Sequence, residues 1–430
     1  MKTNIEKVLG RRIWDSRGRP TVEVEVELTD GTKGRGIAPA GASAGSNEAI
    51  EIRDGGLVLG GYGVERALEN VNTIIAPALI GRTVTDQEQI DALLVELDGT
   101  MNFSRLGSNA SVSTSMAVLN CAAASERVPL WRYLAGDSEV RLPLPEIQIF
   151  GGGAHAGRRI DIQDLLIMPI AATTFDEALA MTAEVYRAAG QLMAEKGPLS
   201  GVADEGGWWP NFESNEEALE ALTRSIERAG YRRGEVMISL DIAASEFGSN
   251  GHYCLALEGR DYDREEWLEV LTGWMNKYPI LSVEDPFGED DSEGMRAFTE
   301  RFGGSIQVIG DDYLVTNAER VKQAAAELAC NAVLLKPNQA GTITATYKAM
   351  QEAKKAGFGM VVSARSGETE DVTIVHLATG WNTGQLKVGS FARSERTAKW
   401  NEGLRIEGEL GPKAVFAGMG ALPIERKVSA

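Results

Sequence analysis

Cysteine is scarce in this 430-residue chain, and its scarcity excludes a covalent framework. Cys121, Cys254 and Cys330 are the only three. An odd count, with no pair at metal-ligand spacing, supplies neither a disulfide set nor a zinc site. Three thiols, reduced, fit a cytoplasmic protein. Basic residues are outnumbered, 43 against 62 acidic, and the net charge of −19 excludes a nucleic-acid surface, which needs clustered Lys and Arg. An anionic ligand stays open, because a metal and a few cationic side chains reverse the field locally. No apolar run approaches a membrane span. Residues 1–8 carry Lys, Glu and Asn with no apolar stretch behind them, so no signal peptide is expected. What is present, 43% hydrophobic and 24% charged residues, is the composition of a globular protein. The length suits two domains, or one large barrel with an additional domain.

Residues 21–28, Thr-Val-Glu-Val-Glu-Val-Glu-Leu, alternate strictly and predict a half-buried strand; Asp30-Gly31 is a hairpin turn and 33–37 the returning strand. Gly41-Ala42-Ser43-Ala44-Gly45-Ser46 is a small-residue loop, readable as a connector or as a mobile lid. Helical periodicity follows over 64–79, 86–97 and 111–127. Leu142-Pro143-Leu144-Pro145 then punctuates the chain. An N-terminal α+β domain is expected over 1–140 and a β/α barrel over 141–430. Four N-cap and carboxylate pairs in the second part, Thr174/Glu177, Ser214/Glu217, Asp263/Glu266 and Thr316/Glu319, predict helices over 175–196, 215–229, 264–278 and 317–329.

Between these helices lie short runs of Val, Ile and Leu that each end on a charge: Asp241, Glu284, Asp311 and Lys336. Such runs read as buried parallel strands, and parallel barrel strands deliver their C-terminal residues to one mouth. Three carboxylates and a lysine would therefore meet. Hard oxygen donors suit Mg²⁺, and a lysine beside a dication is expected to have a lowered pKa and to act as a base. Lys387 reads as a second strand-terminal lysine, each expected to lower the other's pKa. Taken singly, each of these acids could equally be a helix cap or a surface charge. Asp285 and Asp312, next to two of them, face elsewhere if the strand continues, and could orient the metal-binding acids or cap helices. Arg365 offers a planar fork for phosphate and Ser366 a hydroxyl, unless Ser366 caps a helix. Glu205 in Asp204-Glu205-Gly206-Gly207, Asp164 after Gln163, and His155 in a glycine-rich segment are further candidates; His252 and His376 read as structural.

In their order and spacing these segments resemble the enolase family over almost the entire chain. The resemblance is carried by Asp15-Ser16-Arg17-Gly18, Gly41-Ala42-Ser43-Ala44-Gly45, Asp204-Glu205-Gly206-Gly207, Val283-Glu284-Asp285-Pro286-Phe287, Gly310-Asp311-Asp312, Lys336-Pro337-Asn338-Gln339, Arg365-Ser366-Gly367-Glu368-Thr369 and Lys387 with Arg393-Ser394-Glu395-Arg396. It implies an N-terminal α+β capping domain on a modified TIM-like barrel, and a homodimer or an octamer of dimers. It implies two Mg²⁺ ions, one tight on Asp241, Glu284 and Asp311, the other substrate-linked and helped by Ser43. Lys336 would be the base, Glu205 the acid for the leaving group, Lys387 the carboxylate contact, and Arg365 with Ser366 the phosphate contact. His155 matches a histidine on a closing loop. Developing enolate charge is met by divalent cations and a lysine, a pattern general to the superfamily rather than particular to this chain.

Two positions depart from the family around the leaving hydroxyl. Ala364 stands where enolases carry histidine, and Asp164 where they carry glutamate. Smaller departures are Arg19 for Asn, Gly151 for Asn and Ala44 for Thr. Loss of acid–base assistance costs roughly 10²–10⁴-fold. These departures favour a diverged enzyme resembling the carboxyphosphonoenolpyruvate synthases of phosphinothricin-type phosphonate antibiotic pathways, acting on a phosphorylated or phosphonylated carboxylate. The alternative is an ordinary enolase converting 2-phosphoglycerate to phosphoenolpyruvate and water; a third is a non-catalytic relative, disfavoured because the base and all three acids stand.

Overall fold

The computed structural model describes residues 3–42 and 45–424. The alternating segment forms β2 (Pro20–Leu28), which pairs antiparallel with β1 (Ile5–Trp14) on one side and β3 (Lys33–Ile37) on the other. Val22, Val24, Val26 and Leu28 are fully buried on one face. The helix Ser108–Glu126 packs on that face, so closely that a Cβ at Gly34 would lie 2.2 Å from Cys121 N and one at Gly36 2.4 Å from Ser113 O. Only glycine admits that approach. The opposite face carries charge pairs such as Arg11 with Glu23 at 3.0 Å. Strand β1 was not expected from the sequence. The region 64–79 forms as expected but is not uniform: a π-helical turn, Val71–Ile75, separates Glu65–Asn70 from Ala76–Leu79.

Eight strands close a barrel: β4 (Leu144–Gly151), β5 (Asp164–Met168), β6 (Met237–Asp241), then, after a small unpredicted sheet of β7 (Gly248–Ser249), β8 (His252–Leu255) and β9 (Arg260–Asp263), β10 (Ile280–Glu284), β11 (Gln307–Gly310), β12 (Ala332–Leu335), β13 (Gly359–Ser363) and β14 (Gly384–Ser390). The expectation that all strands run one way is corrected here. Strand β5 is antiparallel to both β4 and β6, while the other neighbours are parallel. Its reversal puts its first residue, Asp164, at the mouth, directly across from Asp241.

Helices cover the outer surface, and Phe175, Trp267, Phe287, Phe298 and Trp400 fill the layer between them and the strands. Three of the expected caps form: Thr174, Ser214 and Asp263 each accept the backbone N–H of the glutamate three residues on. The fourth does not. Asn317 caps Ala318–Glu327, and Thr316 turns inward to donate to Gln339 Oε1 at 2.7 Å. Asparagine one residue later offers the better-placed oxygen to two N–H groups.

Candidate active site

The strand ends bring the acids together. Asp241 and Glu284 are the last residues of β6 and β10, paired in register. Asp311 follows β11 directly, and Lys336 follows β12. Lys387 is not strand-terminal as expected; it sits inside β14, level with Ser363 at the end of β13. Because β14 is longer, its interior position still reaches the mouth.

Lys387 Nζ lies 2.9 Å from Asp241 Oδ2, 2.7 Å from Glu284 Oε2 and 3.6 Å from Asp164 Oδ2. Lys336 Nζ is paired with Asp311 Oδ2, whose other oxygen accepts from Gln339 at 2.9 Å. The lowering expected of these lysines presupposes a dication beside them; the protein's own groups set a different balance. Burial works against both ammonium groups, but the carboxylates outweigh it and hold both pKa values above the ordinary lysine range. Burial, then Asp241, pushes Glu284 well up; burial also opposes the charged form of Asp311, but Lys336, Arg365 and Lys387 together hold its pKa down.

Asp285 takes the orienting role left open by the sequence. Its two oxygens accept the backbone N–H of Asp311 at 2.9 Å and of Asp312 at 2.7 Å, which fixes the turn that presents Asp311. Asp285 holds a positive φ of 41°, a strained position that these two bonds stabilise.

A divalent cation fits the donor set. Asp241, Glu284 and Asp311 are at most 6% exposed. Among the described residues, Glu284 Oε1 is buried with no hydrogen-bond partner. A buried orphan oxygen beside two more carboxylates is suited to a hard cation, not to an apolar pocket. Ser43 lies outside the described residues.

The remaining candidates converge on the same mouth. His155 Nδ1 is 2.9 Å from Asp164 Oδ1, and its Nε2 is 3.0 Å from Ser366 Oγ and 3.8 Å from Glu205 Oε1. Burial disfavours the charged ring, but Asp164 and Glu205 raise its pKa to about 9. Ser366 therefore faces His155 and caps no helix; the next helix begins at Thr373. Gln163 Nε2 donates to Asp241 Oδ2 at 3.2 Å. Ala364 is buried and lines the cavity with Asp164, Glu205, Lys336 and Lys387. His252 and His376 stand apart from it; His376 pairs with Glu402 at 3.3 Å.

Three participants escaped the sequence reading. Glu48, from the N-terminal domain, pairs with the Arg365 guanidinium at 3.0 Å and accepts from Gln339 at 3.1 Å. Arg396 donates to the backbone oxygens of Arg365 at 2.7 Å and Val388 at 2.8 Å, and to that of Ser366. Gln148, on β4, donates to Asp164. Glu48 is silent in the sequence because its partners lie hundreds of residues away, and Arg396 because its acceptors are backbone oxygens, which no residue type marks.

Comparison with known proteins agrees with this geometry. Residues 5–134 match the model described as Enolase, N-terminal domain, and residues 139–423 that described as Enolase, C-terminal TIM barrel domain. Enolase 1 of Desulfitobacterium hafniense (strain Y51) is 50% identical over 420 residues, covering 97% of this chain and 96% of that protein. Two domain matches and a relative of that identity show that the chain belongs to the enolase family and is an enzyme of the lyase type.

Proposed function

We propose that the protein is a phosphopyruvate hydratase, converting 2-phosphoglycerate to phosphoenolpyruvate and water. The observation that carries this is the 50% identity, over nearly the full length, to a protein named Enolase 1. The sequence reading's preference for a carboxyphosphonoenolpyruvate synthase finds no support in the comparisons. Ala364 and Asp164 remain real departures, but the pocket keeps a carboxylate, an imidazole and Glu205 around the leaving-group position.

In this reading Asp241, Glu284 and Asp311 hold the tighter Mg²⁺, and a second ion comes with substrate. Bound Mg²⁺ supplies Lewis-acid stabilisation of the charge that develops on the substrate carboxylate. Lys336 Nζ removes the proton α to that carboxylate, which Lys387 contacts. Arg365 and Ser366 receive the phosphate. Glu205 delivers a proton to the departing hydroxyl, with Asp164 and His155 beside it. The fold divides near residue 140, the N-terminal domain contributing Ala42 and Glu48 to the mouth. A cytoplasmic homodimer, or an octamer of dimers, is the assembly the resemblance supports; sedimentation checks it. No helix of the described residues is long and apolar enough to cross a membrane.

The test is direct. Purified protein with Mg²⁺ and 2-phosphoglycerate should form phosphoenolpyruvate, lose that activity in EDTA, and lose both turnover and Mg²⁺-dependent α-proton exchange in D₂O on Lys336→Ala. Absence of turnover in the unaltered enzyme would overturn the hydratase assignment.

A further inference from the structure

Asp164 is a short side chain at a position where a longer carboxylate would reach further into the cavity, and the structure surrounds it with a specific support. A register shift between Gln148 and Phe150 on β4 marks a bulge. The extra residue turns both Ile149 and Phe150 outward into the apolar layer and leaves Gln148 and Gly151 inward. Gly151 is the direct cross-strand partner of Asp164. A side chain at 151 would stand next to the carboxylate, and its Cβ would lie 2.5 Å from Ala203 Cβ.

Gln148 occupies the space so released. It is fully buried. Its Nε2 donates to Asp164 Oδ1, the same oxygen that faces His155. Its Oε1 accepts the backbone N–H of Gly207 at 2.8 Å. Gly207 belongs to the turn that carries Glu205, and a Cβ there would lie 2.4 Å from that Oε1. One amide thus bridges the carboxylate of Asp164 to the backbone of the Glu205 turn. Neither the amide's length nor the glycines on either side are free to vary alone.

We infer that Gln148 is a positioning residue that sets the reach of Asp164 and ties it to Glu205, so that residues 148, 151 and 164 form one length-matched unit at the leaving-group side of the cavity. The inference rests on the hydratase reading for its kinetic test. Shortening the amide by one methylene should be compensated by lengthening the acid by one, because the sum across the contact is then restored.

The experiment compares Gln148→Asn, Asp164→Glu and the pair, with thermal unfolding monitored to confirm folding. Each single variant should lower kcat for phosphoenolpyruvate formation about tenfold, with KM within twofold and Mg²⁺-dependent α-proton exchange retained, since exchange precedes departure of the hydroxyl. The double variant should return to within about threefold of the unaltered enzyme. Losses that multiply in the double variant overturn the proposal, as does loss of α-proton exchange in either single variant. If the unaltered enzyme shows no turnover, the hydratase reading fails separately. The contact is then read from the His155 imidazole NMR resonances, displaced in each single variant and returned in the pair; resonances that do not move overturn the proposal.

Discussion

Arg396 is the most exacting test of how the fold supports the chemistry. It is fully buried near the start of the helix Ser394–Leu410, and its guanidinium spans three backbone oxygens, those of Arg365, Ser366 and Val388. Two of these belong to the proposed phosphate contacts. A planar fork serves three acceptors at fixed angles; an ammonium is a point donor and cannot. Arg396→Lys should therefore leave at least one buried carbonyl unpaired, at about 1–3 kcal/mol. Arg396→Leu removes every donor. Ser366 O would keep Ser16 Oγ at 3.3 Å, so two carbonyls carry the full cost. That is about 2–6 kcal/mol, a large share of the 5–15 kcal/mol typical of a folded domain. Urea unfolding measures the loss. The lysine variant should keep its fold while the loosened turn raises KM for 2-phosphoglycerate about tenfold, the equivalent of roughly 1.4 kcal/mol. An unfolding free energy within about 0.5 kcal/mol of the unaltered protein, with KM unchanged, would refute the argument, since that is the spread of a surface substitution.

Two other outcomes follow from buried titratable groups. Burial, and then Asp311 beside it, raises the Asp312 carboxyl to about 8. The folded state thus binds that proton more tightly than the unfolded chain, whose aspartates titrate near 3.9. Its stabilising contribution is complete below about pH 4 and is lost as pH rises through 8. Chemical unfolding in EDTA across pH 5–9 should show a decline that Asp312→Asn makes shallower; an identical slope in the variant rejects this assignment. Among the thiols, Cys254 is exposed, Cys121 is buried and pushed up to about 12, and Cys330 is buried and raised further by desolvation. Ellman's reagent should titrate one thiol in the native protein and three in guanidinium, and Asp261→Asn should speed the first, because Asp261 holds the Cys254 proton. A second fast native thiol would contradict the packing.

The strand-end acids were legible because a strand buried on both faces writes an unbroken apolar run, and a charge at its end is conspicuous. Thr174, Ser214 and Asp263 were legible because a cap is a local contract between residues three apart. Strand direction is not local. Nothing in the run Leu165–Met168 says that it opposes its neighbours, so Asp164 was found as a candidate without the reason it reaches the mouth. Strand β1 was hidden because Glu6, Lys7, Arg11 and Arg12 interrupt the apolar pattern on both faces, Arg11 pairing with Glu23 and Arg12 with Glu65. Gln148 was hidden for another cause: Glu146 and Gln148 alternate with apolar neighbours as in a half-exposed strand, yet both are buried, and the meaning of the amide depends on Asp164 and Gly207.

Those acids also fix the order of events. Lys387 is held between Asp241 and Glu284, and Lys336 by Asp311, so the oxygens that would bind the tighter Mg²⁺ are the ones that now hold the two lysines. A substrate bearing phosphate and carboxylate would meet these acids together with Asp164, Glu205 and Asp312, against Lys336, Lys387 and Arg365. Anion binding to that balance is unfavourable until the carboxylate charge is taken up elsewhere. A dication held by these acids would do so, and would weaken the same interactions that raise the lysine pKa values. Lys387 would then be available to an incoming carboxylate, and Lys336 would come closer to a base that functions at neutral pH. Mg²⁺ should therefore bind without substrate, whereas 2-phosphoglycerate should bind measurably only after it. Isothermal titration of each ligand in both orders decides the point, and substrate binding of equal strength in EDTA would contradict it.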